Sequence, residues 1–432
     1  MRHVVFLASA LLCTPAIAQT CGEWTLVDTP SPGSRSNILI DVAALSPAAA
    51  VAVGNFSDGV LAPQPLVLRW NGAAWSRVQL PPTAALGTFP QVQGVARGAG
   101  GAAWVVGYIR TPAPMNQLPL LMRFVDGAWE SAATPTLRPQ NTHPFGPRGG
   151  TAREVVALTE TDVWVVGSAA GYGDATATSV PLALHFDGGT WSDVPVPLIG
   201  NRHHEFVDVS ASASDNVWAV GNWRNLSQPY KALVARWDGA EWTLVPNPGE
   251  GAGDGDAQAV IALAPDDVWV SGSFNGGTAN LMHWNGSAWQ TFSGISPGMF
   301  ANFAASGPND IWASCALNAT FYHYDGVAWS AVPSNTIPGS TYVLRGYGLD
   351  VLDGCHAVSV GAYSNGVTQY ASSEVMSPSG CPSDWNGDGG VDGDDVIAFF
   401  ADWDANAADV NGDGGTDGDD IIAFFAGWDA GC

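Results

Sequence analysis

An all-β ring of repeated four-stranded sheets, followed by a small helical module with two cation loops, is the architecture the sequence predicts. Three observations predict it. A tryptophan-centred pattern recurs along most of the 432 residues. Charged residues make up only 13% while Gly (52) and Trp (19) abound, which suits tight turns between packed strands rather than a coiled coil or a disordered tail. Residues 381–432 then change character, with thirteen Asp and no Lys, Arg or Glu.

Residues 1–18 read as an export signal. Arg2 and His3 form a basic head, Val4 to Leu12 an apolar run, and Ala16-Ile17-Ala18 a small-x-small cleavage site. Cys13 follows Leu12, where a lipid-attachment signal requires a small residue. No other stretch offers the roughly 18 apolar residues of a membrane span. A secreted or envelope-associated protein without a membrane span is expected. The formal charge of −25 disfavours nucleic acid and anionic membranes as partners and favours metal cations.

Residues 19–376 carry the repeat: an apolar strand, then D-V-W-V-V-G, then an apolar strand ending in an aromatic, then (N/D)-G-x-x-W. Trp104, Trp164, Trp218, Trp269 and Trp312 anchor it, with Val51 and Val358 as weaker first and last copies. The dipeptides Asn71-Gly72, Asp126-Gly127, Asp187-Gly188, Asp238-Gly239, Asn285-Gly286 and Asp325-Gly326 each precede a Trp and signal hairpins in which both turn residues take positive φ. A single four-stranded sheet cannot bury both faces, whereas sheets stacked around an axis can, with the Trp between them. Six units are complete. The seventh, from Tyr342, lacks its outermost strand, and Cys21 to Val27 matches that missing piece. A seven-bladed β-propeller closed by the N-terminal strand follows, leaving no exposed edge. The pattern resembles tryptophan-rich, kelch-like propeller repeats, a resemblance that bears on fold more than on function.

The position ten residues before each anchor gives one register of the innermost strands: Asp41, Gly94, Glu154, Asp208, Ala259, Asn302 and Gly348. Asp41, Glu154 and Asp208 are candidate catalytic residues: three carboxylates around an axis are a cation site, an acid–base set for glycoside cleavage, or the polar lining of a wet channel. A second candidate is basic. Arg138, His143, Arg148 and Arg153 share one inter-blade loop, Arg202-His203-His204-Glu205 the next, in a chain with only 15 Lys and Arg. Arg148, Arg202, His203 and His204 are expected to receive an acidic glycan or carboxylate ligand. His185, His283 and His323 stand where other blades have Arg69, Arg123 and Arg236, so they belong to the repeat and not to a metal cluster.

After a linker at 377–380, the module at 381–432 holds two near-copies of one loop. Asp384, Asn386, Asp388, Gly390, Asp392 and Asp395 in the first, and Asp409, Asn411, Asp413, Gly415, Asp417 and Asp420 in the second, supply oxygen ligands at positions 1, 3, 5, 7, 9 and 12 of a calcium loop. Two Ca2+ ions are expected, and so dense an acidic segment is expected to need them to fold. Short helices follow at Val396 to Trp403 and Ile421 to Trp428, both carrying I-A-F-F-A or its near equivalent. Phe399, Phe400, Trp403, Phe424, Phe425 and Trp428 then form a twofold-related pair of apolar faces. Loop-then-helix, duplicated and ending in Gly431-Cys432, resembles a GC-type dockerin. That resemblance implies a cohesin-like or other docking receptor, although Gly393-Asp394 and Gly418-Asp419 stand where dockerins often carry Ser-Thr. Duplication should bring the module's ends together, favouring a Cys381–Cys432 disulfide over the rival Cys21–Cys381, with Cys315 and Cys355 as buried thiols.

The functional expectation is an exported binding or scaffold protein, its propeller taking a glycan or protein ligand and its tail docking it. The alternative is a tethered polysaccharide-degrading hydrolase or lyase. No nucleophile elbow, phosphate loop, dinucleotide fingerprint or H-E-x-x-H motif is present.

Overall fold

A computed structural model describes residues 24–59, 62–81, 88–110, 117–125, 128–131, 149–170, 179–199, 203–251, 253, 255–296, 298–315, 320–337, 340, 342–353, 355–377, 383–386, 391–408, 410 and 415–430. It divides into two compact units, one over Glu23–Ser377 and one containing Pro378–Asn386 and Val391–Cys432. No helix among the described residues is long and apolar enough to cross a membrane.

The first unit contains seven antiparallel four-stranded sheets. Blade one is typical: Ser36–Ser46 innermost, then Ala49–Ser57, Gln64–Trp70 and Trp75–Arg77. Blade seven takes Tyr342–Val351, Ala357–Ser364 and Gln369–Met376 from the C-terminal side, and Thr25–Val27 as its outermost strand. Thr25 pairs with Val375 and Val27 with Ser373. The propeller is therefore closed by its N-terminal strand, as the missing seventh strand implied.

The repeated Trp pack from blade to blade in one arrangement. Each anchor indole meets the outer-strand indole of the next blade edge to face: Trp104 with Trp191 at 5.7 Å, Trp164 with Trp242 at 5.3 Å, Trp218 with Trp289 at 6.0 Å, Trp269 with Trp329 at 5.7 Å. Trp312 makes the same contact with Trp24 of the closing strand at 5.7 Å. Val51 and Val358, the weak copies, occupy the equivalent places opposite Trp129 and Trp75. His185, His283 and His323 sit across from the anchors in the register, as Arg69, Arg123 and Arg236 do elsewhere. Each stacks on its Trp at 4.2–4.5 Å and pairs with the Asp of its D-V-W or D-I-W motif at 2.7–2.8 Å.

The hairpin expectation needs a correction. Only the glycine takes positive φ (94° at Gly72, 90° at Gly188), and Asn or Asp does not. Asn71 instead uses Oδ1 to accept the amides of Ala73 and Ala74, and Asp187, Asp238, Asn285 and Asp325 repeat this. The loop is four residues long and organised by that carboxylate or amide. Asp126-Gly127 lies outside the described residues.

In the second unit, α1 (Gly393–Asp404) and α2 (Gly418–Ala430) begin three residues earlier than expected. Asp392 caps α1 and Asp395 reaches back to its amide, a capping box that draws the end of the loop into the helix. Phe399 and Phe424 are fully buried and stack at 4.2 Å. They belong to the core, which corrects the expected outward apolar faces. The exposed apolar side chains are Ile397 and Phe400 on α1, and Ile422 and Phe425 on α2.

Cys315 is a free buried thiol as expected, but Cys355 is disulfide-bonded and not a thiol. Cys21, Cys381 and Cys432 lie outside the described residues.

Candidate functional site

The D-V-W-V-V-G glycine creates the axial site. A Cβ on Gly54, Gly167 or Gly221 would stand 2.0 Å from a carbonyl oxygen of the innermost strand (Ile38, Thr151, Glu205). That close approach accompanies a β-bulge in the innermost strand, between Leu39 and Asp41, Ala152 and Glu154, and Phe206 and Asp208. A bulge re-aims the following side chain. The ten-residue register is therefore real: Asp41, Glu154 and Asp208 all line one axial cavity of about 350 Å3, together with Asn302.

The carboxylates are held as straps between blades. Asp41 Oδ2 accepts the amide of Val95 in the next blade at 2.7 Å, and Asp208 Oδ2 that of Val260 at 2.7 Å. Glu154 and Asp208 also accept the amides of their own neighbours, Val155 and Val209, at 2.9 and 2.7 Å. Burial pushes the carboxyls of Asp41 and Asp208 up to about 7, against backbone hydrogen bonds that lower them. Glu154 is raised well above the usual range by burial first and then by the charges of Asp41 and Asp208, and it hydrogen-bonds Asp41. Burial and the two neighbouring carboxyls thus favour the protonated form of Glu154.

Sequence reasoning missed Asp350 and Arg97, which line the same cavity. Asp350 lies two residues beyond Gly348, on the same face of its strand, and accepts the amide of Ala44 in blade one at 2.8 Å. Ser210 does the same for Ala262 at 3.0 Å. Extending the register by the strand period of two would have found Asp350 and Ser210, whereas Arg97 lies three residues beyond Gly94 and off that register. Burial raises Asp350, and the Arg97 guanidinium opposes the shift.

Arg148 and Arg202 lie outside the described residues, as do Arg138 and His143. His204 is 2% exposed, with Nδ1 on Ser179 O at 3.2 Å and Nε2 on Ile199 O, so it is a structural residue turned away from solvent. His203 and Arg153 face Glu205, at 3.6 and 3.7 Å. The Arg153 charge neutralises a carboxylate of the protein itself.

In the C-terminal unit each position-12 carboxylate accepts two loop amides. Asp395 accepts the amides of Asn386 (3.0 Å) and Asp392 (2.8 Å), and Asp420 those of Val410 and Asp417 (both 2.8 Å). Asp392 and Asp417 each accept the amide two residues on. Both position-12 carboxylates are fully buried in a module without Lys, Arg or His. An oxygen-only donor set with no internal counter-charge fits a hard divalent cation. Asp384 and Gly415 belong to the described residues, whereas Asp388, Gly390, Asp409, Asn411 and Asp413 do not.

No known protein family matches the chain, and no curated protein does. Solved structures do. "YCF48 bound to D1 peptide" superposes with a TM-score of 0.51 and 14% identity over 82% of this chain and 96% of that one. YCF48 from Cyanidioschyzon merolae gives 0.49 and 16% over 82% and 98%. A streptogramin B lyase gives 0.50 and 10% over 84% and 100%. At such identities the likeness is one of fold alone: the propeller architecture is shared with a protein solved with a peptide on it and with a lyase.

Proposed function

We propose that the chain is an exported binding protein. Its propeller presents a ligand site, and its acidic tail, a dockerin-like module folded by two Ca2+ ions, docks it to an envelope or extracellular partner. The observation that carries the tail's role is the duplicated pair of exposed apolar side chains, Ile397 with Phe400 and Ile422 with Phe425, on a module whose own core is already filled by Phe399 and Phe424. Asp384, Asn386, Asp392 and Asp395, with Asp388 and Gly390, would hold one ion; Asp409, Asn411, Asp413, Gly415, Asp417 and Asp420 the other. The axial carboxylates favour binding over catalysis, because Asp41, Asp208 and Asp350 are each tied to the backbone of a neighbouring blade.

The test is retention of the full-length chain on its native envelope fraction, with calcium, with chelator, and with Ile397→Asp plus Ile422→Asp. Retention that needs calcium and fails in the double variant supports the reading. Retention indifferent to both overturns it. A second reading, a glycoside hydrolase or lyase, draws on Glu154, whose carboxyl is raised well above the usual range, beside Asp41. Product release from a polysaccharide that Glu154→Gln abolishes would establish it.

A further inference from the structure

A second cavity, of about 380 Å3, opens where the innermost strands of blades four and five begin, and it differs in chemistry from the axis. Glu205, Asn222, Tyr230, Asp256 and Met299 line it. Asn222 is 8% exposed, and its Nδ2 donates to Glu205 Oε1 at 3.2 Å, which fixes the amide orientation and leaves Oδ1 without a donor. Asp256 Oδ2 accepts from Gln258 at 2.8 Å, and its Oδ1 is likewise buried and unpartnered. Unpartnered buried acceptors are costly, and each marks a place for a donor to be supplied.

Both orphaned side-chain atoms of the lining accept, and neither donates. An anionic ligand would set acceptor against acceptor. A sugar would bring hydroxyl acceptors that need donors in return. Among the described residues the positive charge nearby is already engaged: Arg153 and His203 pair with Glu205, the Arg224 guanidinium lies 4.4 Å over the Tyr230 ring, and Lys231 donates to the carbonyls of Gly251 and Gly253. Asp256 has no cation partner among the described ion pairs. Met299 offers an apolar wall for an aliphatic stem. We propose that this cavity binds the side chain of a lysine or arginine on a polypeptide ligand, its N–H donors satisfying Asp256 Oδ1 and Asn222 Oδ1. This inverts the acidic ligand expected from the loop arginines. It deepens the reading of the propeller as a binding body and does not involve the tail.

The experiment is calorimetric titration of the calcium-loaded full-length protein with short capped peptides carrying one Lys or one Arg. The acetyl-lysine peptide, a Glu peptide and glucosamine serve as comparisons. Saturable binding of a cationic peptide, weakened at least about tenfold by acetylation and by Asp256→Asn, is expected, with Asp58→Asn unchanged. Acetylation alters the ligand only, so it decides the matter even if the Asp256 variant folds poorly. No saturable binding, equal binding of the acetylated peptide, or preference for glucosamine or Glu overturns the site. Failure here with calcium-dependent retention intact removes this pocket and leaves the docking role standing.

Discussion

Replacing Glu154 by Gln tests the axial carboxylates at the level of a proton. Asp41 and Asp208 ionise near 7 in the fold and near 3.8 in a model peptide. Their folded-state values are raised, so the stabilising contribution of their protons is complete below about pH 4 and is lost as pH rises to about 7. A shift of that size corresponds to about 4 kcal/mol for one isolated group, an upper bound here because the groups interact and face a wet channel. Asp187 and Asp238 work in the opposite sense at lower pH. The amides of Thr190 and Glu241 hold them below the usual range, so their contribution is lost as pH falls below about 4. Stability should therefore peak in mildly acidic buffer and decline towards pH 8. Gln at 154 mimics the neutral acid: its carbonyl can accept the Val155 amide and its NH2 can donate to Asp41, with no charge added. Urea unfolding of both proteins between pH 4 and pH 9 should show a gentler decline in the variant, which gains about 1–2 kcal/mol at pH 8 and little at pH 5. A wild-type stability that rises from pH 5 to pH 8, or a variant destabilised equally at every pH, would refute this account.

Trp24→Ala removes an indole that stacks on Phe321 at 4.2 Å and seals the ring against Trp312. It should cost about 3–5 kcal/mol and raise susceptibility to proteolysis at blade seven, read by urea unfolding and limited digestion. Gly167→Ala places a methyl 2.0 Å from the Thr151 carbonyl, so a loss of at least about 1–3 kcal/mol is expected, against near neutrality for Gly101→Asn on the surface. Chelation should unfold the tail alone: far-ultraviolet helix signal falls, near-ultraviolet signal from the propeller Trp persists, and Asp395→Ala with Asp420→Ala reproduces the effect in excess calcium. With Cys315 free and Cys355 bonded, a Cys381–Cys432 bridge leaves Cys21 for Cys355, and non-reducing peptide mapping should recover both pairs.

What was legible in the sequence, and what was not, divides by the range of the interactions involved. The blade count came from local periodicity, and even the closing strand declared itself, because Trp24 occupies a repeat position that packing requires at every interface. Asp41, Glu154 and Asp208 were found because the bulge opposite each glycine recurs at one offset. Asp350 escaped since only the seventh blade uses that neighbouring position for a carboxylate, and its partner Ala44 is in blade one, at the far end of the chain. Phe399 and Phe424 were assigned outward because a helical pattern shows which residues share a face, not which of two faces a second helix will cover.

The same limit applies to the described members of the basic loops. A cluster of basic residues in adjacent loops reads as a site for anions only while their counter-charges are unknown. Glu205 is one residue beyond His204 in sequence, yet it is folding that sets its carboxylate between His203 and Arg153 and its other contact on Asn222. Once those charges are matched, Asp256, fifty-odd residues on and in the next blade, is left without a cation partner among the described residues. The sign of the field a ligand meets is thus a property of the residue pairing left over after folding. If Arg153→Ala turned the pocket towards cationic peptides more strongly, by freeing Glu205, that would follow directly; weaker cation binding in that variant would show that the arginine contributes something other than charge neutralisation.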